Sequence, residues 1–381
     1  MLSKYLTSRF FIFDALFVRV LAVSLVVGVN GQAQQAGNDL PPSRFLGMNS
    51  CGSSGCHGGA ASKRDECRIW SQRDFHSRAY ATLTTARSAR MAEVLGIAAP
   101  TKEASCTVCH APFQSVPPQL QASPLDVTAG VSCESCHGPA ESWLRGHTRP
   151  DWTHADRLSA GMRDLKSLYG RGNACVACHQ NVPGNILEAG HPELFFGLDA
   201  LGVSQPKHWQ ESPDWSGAQT WLVGQAIALR EVSWELSRSP DGEKLKPQWD
   251  GLVWIMSKVP DTGLSPSLSA GEIQKWSDDY ARKTSELKWS TERTRKTLES
   301  LAATGADLRA KDVAPPIQAR RAERLVLGLD RLVNASGAKV KAALDHELDD
   351  LYARVQSLPD FDPLKFADSL DKFSSKLQAS H

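Results

Sequence analysis

Long apolar runs, aromatic residues and an excess of either charge are all scarce in this chain of 381 residues. Lys and Arg number 43 against 42 Asp and Glu, so the formal net charge is +1, which excludes a protein that binds nucleic acid through bulk charge. With 41% apolar and 22% charged residues, the composition also excludes a disordered chain. Aromatic residues make up only 7%. That scarcity leaves room for a non-protein group in the interior.

Cysteine is absent from the second half of the chain. All nine cysteines fall between Cys51 and Cys178, so the chemistry that depends on them is confined to one half. Three tight motifs account for six of them: Cys106-Thr-Val-Cys109-His110, Cys133-Glu-Ser-Cys136-His137 and Cys175-Val-Ala-Cys178-His179. Each has the spacing of a c-type haem attachment site.

The spacing explains why such a motif binds haem. Two thiols three positions apart on a turn of helix can form thioethers with the two vinyl groups of one porphyrin, and the next histidine is then held under the iron. A zinc site or a redox dithiol is the alternative for a Cys-x2-Cys pair. Zinc needs four ligands, and three motifs that each carry an immediately following histidine favour haem.

A looser motif, Cys51-Gly-Ser-Ser-Gly-Cys56-His57, comes first in the chain, ahead of the three tight ones, and has four residues between its cysteines. We expect Gly52 and Gly55 to let this longer loop bulge without strain, so that both thiols still reach one porphyrin. The alternative is a disulfide between Cys51 and Cys67 that leaves Cys56 alone. If the haem assignment holds, Cys67 is the odd cysteine and is expected to be an unpaired thiol.

The histidines divide into ligand candidates and others. The expected proximal ligands follow the second cysteine of each motif: His57, His110, His137 and His179. Four more histidines of the same half are the expected distal ligands: His76, His147, His191 and His208. Less favoured alternatives are His154, His346 in an acidic helix, the C-terminal His381, and the methionines Met48, Met91 and Met162.

The N-terminal segment has the features of an export signal. Lys4, Arg9 and Arg19 precede the apolar run Val20–Val29, and Ala33 offers a small residue at a plausible cleavage point. We therefore expect residues 1–33 to be a signal peptide and the mature chain to be periplasmic. An uncleaved anchor is the alternative, but the run is shorter than the roughly 20 residues that a span requires.

Composition divides the rest into two regions and predicts a mainly α fold. Residues 34–215 are loop-rich, with a short helical patch at Tyr80–Val94, and form the expected tetrahaem cytochrome c domain. Residues 216–381 have the periodicity of long amphipathic helices and form the expected C-terminal α-helical bundle. The periodicity predicts six helices in this region: Thr220–Leu236, Trp249–Lys258, Ser269–Ala302, Pro316–Val333, Val340–Leu358 and Pro363–Leu377.

The haem region resembles a known family. Three segments carry the likeness: Gly130-Val-Ser-Cys-Glu-Ser-Cys-His-Gly-Pro139, Trp70 to Tyr80, and Gly190-His191-Pro192. In order and spacing they are similar to the cytochrome c-554 family of multihaem periplasmic cytochromes, over about residues 47 to 210. The resemblance implies an electron-carrying tetrahaem domain with mostly bis-histidine haems in close pairs. It also implies a five-coordinate second haem, that of His110, whereas four distal candidates here match four irons.

These expectations favour an electron-transfer protein. Four porphyrins within residues 34–215 must pack against one another and supply much of the apolar core themselves. Bis-histidine ligation closes both axial faces of an iron, which leaves transfer as its task. The alternative is an oxidoreductase that acts on a small nitrogen or sulfur species at one five-coordinate haem, and a weaker one is a structural subunit. The expected partners are redox proteins, with the helical half available for docking or dimerisation.

Overall fold

The computed structural model describes residues 42–61, 63–238, 242–356 and 360–379. The predicted signal peptide, residues 1–33, lies outside the described residues, as does His381. Regular structure in the described part is almost entirely helical, and one isolated parallel bridge joins Phe45 to Gln121. No helix among these residues has both the length and the apolar character needed to cross a bilayer. The mainly α fold is confirmed.

The first region consists of short helices joined by long irregular segments and several 3-10 turns. Its α-helices are α1 (Glu66–Arg73), α2 (Ala79–Thr82), α3 (Ala86–Leu95), α4 (Ala104–His110), α5 (Cys133–His137), α6 (His154–Ser159), α7 (Leu168–His179), α8 (Gly184–Glu188) and α9 (Leu198–Ser204). The predicted patch at Tyr80–Val94 is two helices, because Thr85 caps α3 by accepting a hydrogen bond from the backbone N–H of Ser88.

The second region consists of longer helices. They are α10 (Gly217–Leu236), α11 (Lys246–Lys258), α12 (Ala270–Glu286), α13 (Thr291–Ala302), α14 (Gly305–Leu308), α15 (Pro315–Ala335), α16 (Ala338–Val355) and α17 (Pro363–Ala379). The long helix expected over Ser269–Ala302 is broken at Leu287–Ser290. Leu287 is extended, and the Ser290 side chain caps α13 by accepting from the backbone N–H of Arg293.

The apolar core centres on α10, which is buried along almost its whole length. Helices α12, α11 and α15 pack around it and contribute buried leucines, valines and tryptophans. Helices α7 and α9 of the first region also pack against α10, and Leu168, Val176 and Leu198 join the same core. The compositional division near residue 215 stays a prediction, since this packing crosses it.

Candidate haem sites

Each tight motif occupies the end of a helix. Helix α4 ends at His110, α5 at His137 and α7 at His179. Cysteines three positions apart lie on one face of a helical turn, and the histidine follows directly where the helix ends. Local structure therefore presents two thiols and one imidazole together, which is the donor set that covalent haem attachment requires.

The first motif is a tight loop instead of a helix. The backbone N–H of His57 donates to the carbonyl of Cys51 at 3.2 Å, which closes the loop around its four intervening residues. The close approach falls at Gly58, where a Cβ would lie 2.0 Å from the carbonyl oxygen of Gly52. Gly52 and Gly55, which we expected to relieve backbone strain in this loop, have ordinary negative φ angles. Sequence inspection did not single out Gly58 as the glycine that this loop needs.

Three of the four expected proximal histidines each face a different expected distal histidine. The ring centroids of His57 and His147 lie 6.1 Å apart. Those of His110 and His191 lie 6.5 Å apart, and those of His179 and His76 lie 5.9 Å apart. An iron with two axial imidazole nitrogens at about 2 Å each holds the ring centroids roughly 6 Å apart. The separations fit one iron between each pair.

The fourth proximal candidate, His137, has His208 as a neighbour. Burial is the main cause that lowers the pKa of His137 to about 4, and repulsion from His208 and His57 adds to it. Burial also lowers the pKa values of His110 and His179, with smaller contributions from His191 and His76 respectively. These three imidazoles are therefore neutral near pH 7, which is the form that ligates a metal.

The cysteines of different motifs also approach one another. The Cys51 thiol lies beside that of Cys133, and their interaction lowers the pKa of Cys51. The Cys109 thiol lies beside that of Cys178, and their interaction likewise lowers the pKa of Cys109. The first motif thus lies beside the third, and the second beside the fourth. Cys67 is a free thiol whose sulfur lies 3.7 Å from Met48 Sδ.

Two carboxylates that sequence inspection missed orient candidate ligands. Glu66 Oε2 lies 2.9 Å from His57 Nδ1, and Asp74 Oδ1 lies 2.9 Å from His76 Nδ1. Both contacts leave Nε2 free for a metal and fix the imidazole ring, as carboxylates commonly do behind metal-bound histidines. Asp74 also accepts from Gln205 Nε2 at 3.0 Å. In the sequence, the only indication that Asp74 orients His76 is its position two residues earlier.

A buried glutamate inside the third motif was also missed. Glu134 is 1% exposed and accepts hydrogen bonds from the backbone N–H groups of Leu46, Gly47 and Ala140. It thereby ties the chain before the first motif to the chain after the third. Nearby, Gly130 has a φ of +67°, and a Cβ there would lie 2.6 Å from the carbonyl oxygen of His76. Only glycine fits this crossing between the third motif and the His76 segment.

The less favoured ligand candidates lie elsewhere. His154 Nε2 is 3.2 Å from Asp164 Oδ1, and its ring faces none of the proximal candidates in the described geometry. His346 is exposed on α16. Met48 faces the Cys67 thiol.

The fold and the donor sets define a class of protein: a helical c-type cytochrome that binds haem covalently and carries electrons. Residues 51–138 match the family model described as Cytochrome c554 and c-prime. The match begins at the first cysteine of the first motif and ends just after His137, so it covers three of the four motifs. Comparison with curated proteins and with solved structures gives no match.

Proposed function

We propose that this protein is a periplasmic tetrahaem cytochrome that passes electrons through four closely packed bis-histidine haems. The observation that carries the proposal is the facing of proximal and distal candidates at 5.9 to 6.5 Å. We assign the axial pairs as His57 with His147, His110 with His191, His137 with His208, and His179 with His76. The thioether positions are Cys51, Cys56, Cys106, Cys109, Cys133, Cys136, Cys175 and Cys178.

The pairing favours electron transfer over conversion of a substrate. With two imidazoles on each iron, neither axial face is open to a small nitrogen or sulfur compound. The alternative enzyme activity requires one vacant face, and the haem of His110 is where the family resemblance implies a vacancy. His191 lies opposite His110 in this chain, which supports six-coordination at that haem as well.

The positions of the thiols support two close haem pairs. The contact between Cys51 and Cys133 brings the first and third motifs together, and that between Cys109 and Cys178 brings the second and fourth together. Cys136 is also a neighbour of Cys175, because its charge adds to the effect of burial that raises the pKa of Cys175. We infer that electrons move between the first and second haems through the third and fourth.

The N-terminal charge pattern and apolar run support export to the periplasm. The expected partners are redox proteins, a donor at one end of the haem series and an acceptor at the other. The balanced net charge of +1 gives no support to a nucleic-acid partner. Docking or dimerisation through the helical region remains part of this proposal.

Haem counting combined with single ligand variants tests the proposal. Intact mass of the exported protein should exceed that of the processed polypeptide by four haems, and the double variant Cys51→Ala/Cys56→Ala should carry three. His76→Ala should turn one low-spin haem high-spin with four haems still attached, since thioethers hold the porphyrin. His154→Ala is the matched control and should change nothing. Three haems in the unmodified protein, or a silent His76→Ala variant, would refute this assignment.

A further inference from the structure

The segment that carries His191 has no regular structure of its own. Residues 191–197 lie between α8 and α9 without a helix or strand. His191 Nδ1 hydrogen-bonds only to the carbonyl of the adjacent Pro192, at 2.8 Å. A contact with the next residue fixes the ring on its own backbone, but it does not fix that backbone relative to His110. An irregular segment keeps its place only through contacts with other elements.

On the N-terminal side, the His191 backbone N–H donates to the carbonyl of Ile186, and Arg87 of α3 donates to the carbonyl of Gly190. On the C-terminal side of His191, the contacts come from the helical region. Arg320 Nη2 pairs with Glu193 at 2.7 Å, and Arg331 Nε donates to Asp199 Oδ2 at 2.5 Å. Both arginines belong to α15, and at a spacing of 11 residues they share one face of that helix. The same face therefore holds the chain on both sides of Phe195 and Phe196.

Arg324, one helical turn after Arg320, reaches the middle of the segment. Its guanidinium lies 3.6 Å from the centre of the Phe195 ring, and Nη1 donates to Gln225 Oε1 at 3.0 Å and to the carbonyl of Phe196 at 3.4 Å. The side chain is 2% exposed, and Nη2 has no hydrogen-bond partner among the described residues.

A buried, incompletely bonded guanidinium is a poor source of stability. Burial is the main cause that lowers the pKa of Arg324, yet a guanidinium keeps its proton near neutral pH. Apolar residues of the same volume are often as good as or better than a buried charge for stability alone. What Arg324 adds is directional: a cation against one aromatic face and a donor aimed at one backbone carbonyl.

We propose that α15 holds the His191 segment in place through Arg320 and Arg324, so that the helical region keeps the haem of His110 six-coordinate. The inference rests on the proposed function, since it takes His191 as an axial ligand. It gives the helical region a specific role at a haem to which it donates no ligand. Arg320 and Arg324 are thus positioning residues.

The test uses the full-length, haem-loaded protein and its electron paramagnetic resonance spectrum. Arg320→Glu places a carboxylate against Glu193 and should produce a high-spin signal that the unmodified protein lacks, up to but not beyond that of one haem. The reciprocal variant Glu193→Arg should do the same, and the double variant, which restores an ion pair of reversed direction, should return the signal to the level of the unmodified protein. Arg324→Ala should have the larger effect and Arg324→Lys a smaller one. Four haems should remain attached throughout.

Arg309→Glu is the matched control. Arg309 pairs with Asp368 and Asp371 of α17 and not with the His191 segment, so its loss should leave every haem low-spin. A high-spin signal from this control as large as that of Arg320→Glu would overturn the proposal, because it would show general loosening of the helices. If Arg324→Ala does not fold, the exchange of Arg320 and Glu193 decides alone.

His191→Ala separates the two levels of the argument. If it produces one high-spin haem while the Arg320 and Arg324 variants stay low-spin, the role of α15 is refuted and the proposed function stands. If His191→Ala itself leaves all haems low-spin, His191 is not a ligand, and both this inference and the assignment of the haem of His110 fail.

Discussion

The two regions of the molecule are stabilised in different ways. The longest helix of the cysteine-bearing region, α7, has 12 residues, whereas α10 has 20 and α15 has 21. Most of the buried apolar side chains belong to the second region. Long amphipathic helices gain their stability from packing an apolar face. The first region gathers cysteines and histidines instead, so its interior is organised around groups that the polypeptide does not supply.

The two regions are not stabilised independently, because they pack against each other. Helix α7 carries the fourth motif, yet its Leu168 and Val176 belong to the core built around α10. Two glycines make the close packing possible. A Cβ at Gly172 would lie 2.3 Å from Ile227 Cδ1, and a Cβ at Gly224 would lie 2.9 Å from the backbone nitrogen of Leu198. The fourth motif is thus attached to the helical region by the same kind of packing that stabilises that region.

The largest effect should come from preventing haem attachment. If the protein is produced without the haem attachment machinery, we expect residues 42 to about 160 to lose their fold, because too little apolar surface is left to offset the entropy of ordering the chain. Helices α10 to α17 should stay folded. Limited proteolysis followed by mass spectrometry measures this, with the haem-loaded protein as control. Equal protection of both regions without haem would contradict the comparison.

Overpacking the glycine contact should have an intermediate effect. Gly224→Val forces two methyl groups against the backbone of Leu198, and we expect it to lower the free energy of unfolding of the helical region by about 2–3 kcal/mol. Gly271→Ala on α12 is the control, since no atom lies within 4 Å of its added Cβ. Urea titration followed by far-ultraviolet circular dichroism measures the free energy of unfolding of both variants. Equal stability of the two variants would show that the crossing is not tight.

A smaller effect is expected from the polar contact between α7 and α12. Burial alone would raise the pKa of Asp278, but hydrogen bonds from Tyr169, Arg230 and Arg282 outweigh it and lower the pKa. Because the folded-state pKa is depressed, the stabilisation is complete above an unfolded-state pKa of about 3.9 and is lost as the pH falls through the folded value.

Asp278→Asn should therefore cost about 1 kcal/mol of unfolding free energy at pH 7, a modest value since the carboxylate is partly exposed. The difference from the unmodified protein should shrink when both are measured near pH 3. Lys275→Gln, which removes the exposed ion pair of Lys275 with Asp279 and a weaker attraction to Asp278, is the control and should change little. A difference that persists undiminished at low pH would assign the effect to packing instead of charge.

The sequence predicted the motifs, the helical class and most long helices, because these depend on local spacing and periodicity. It missed the break at Leu287–Ser290, where a serine cap outweighs a continuous apolar stripe. The sequence also identified the distal histidines only as a set. It did not predict which proximal histidine each of them faces. Which imidazole faces which depends on the path of loops between distant residues, such as the 90 residues from His57 to His147, and no local pattern encodes that path. The role of the α15 arginines could not be predicted either, because it depends on where the fold places the His191 segment that they contact.

Low-temperature electron paramagnetic resonance of the oxidised, unmodified protein tests the central claim most directly, because it distinguishes low-spin from high-spin ferric haem. The account predicts four low-spin haems per molecule and no high-spin signal, since every iron has two imidazoles. A high-spin signal equivalent to one haem would contradict it. That result would leave one axial face open and would favour the enzyme alternative at the haem concerned.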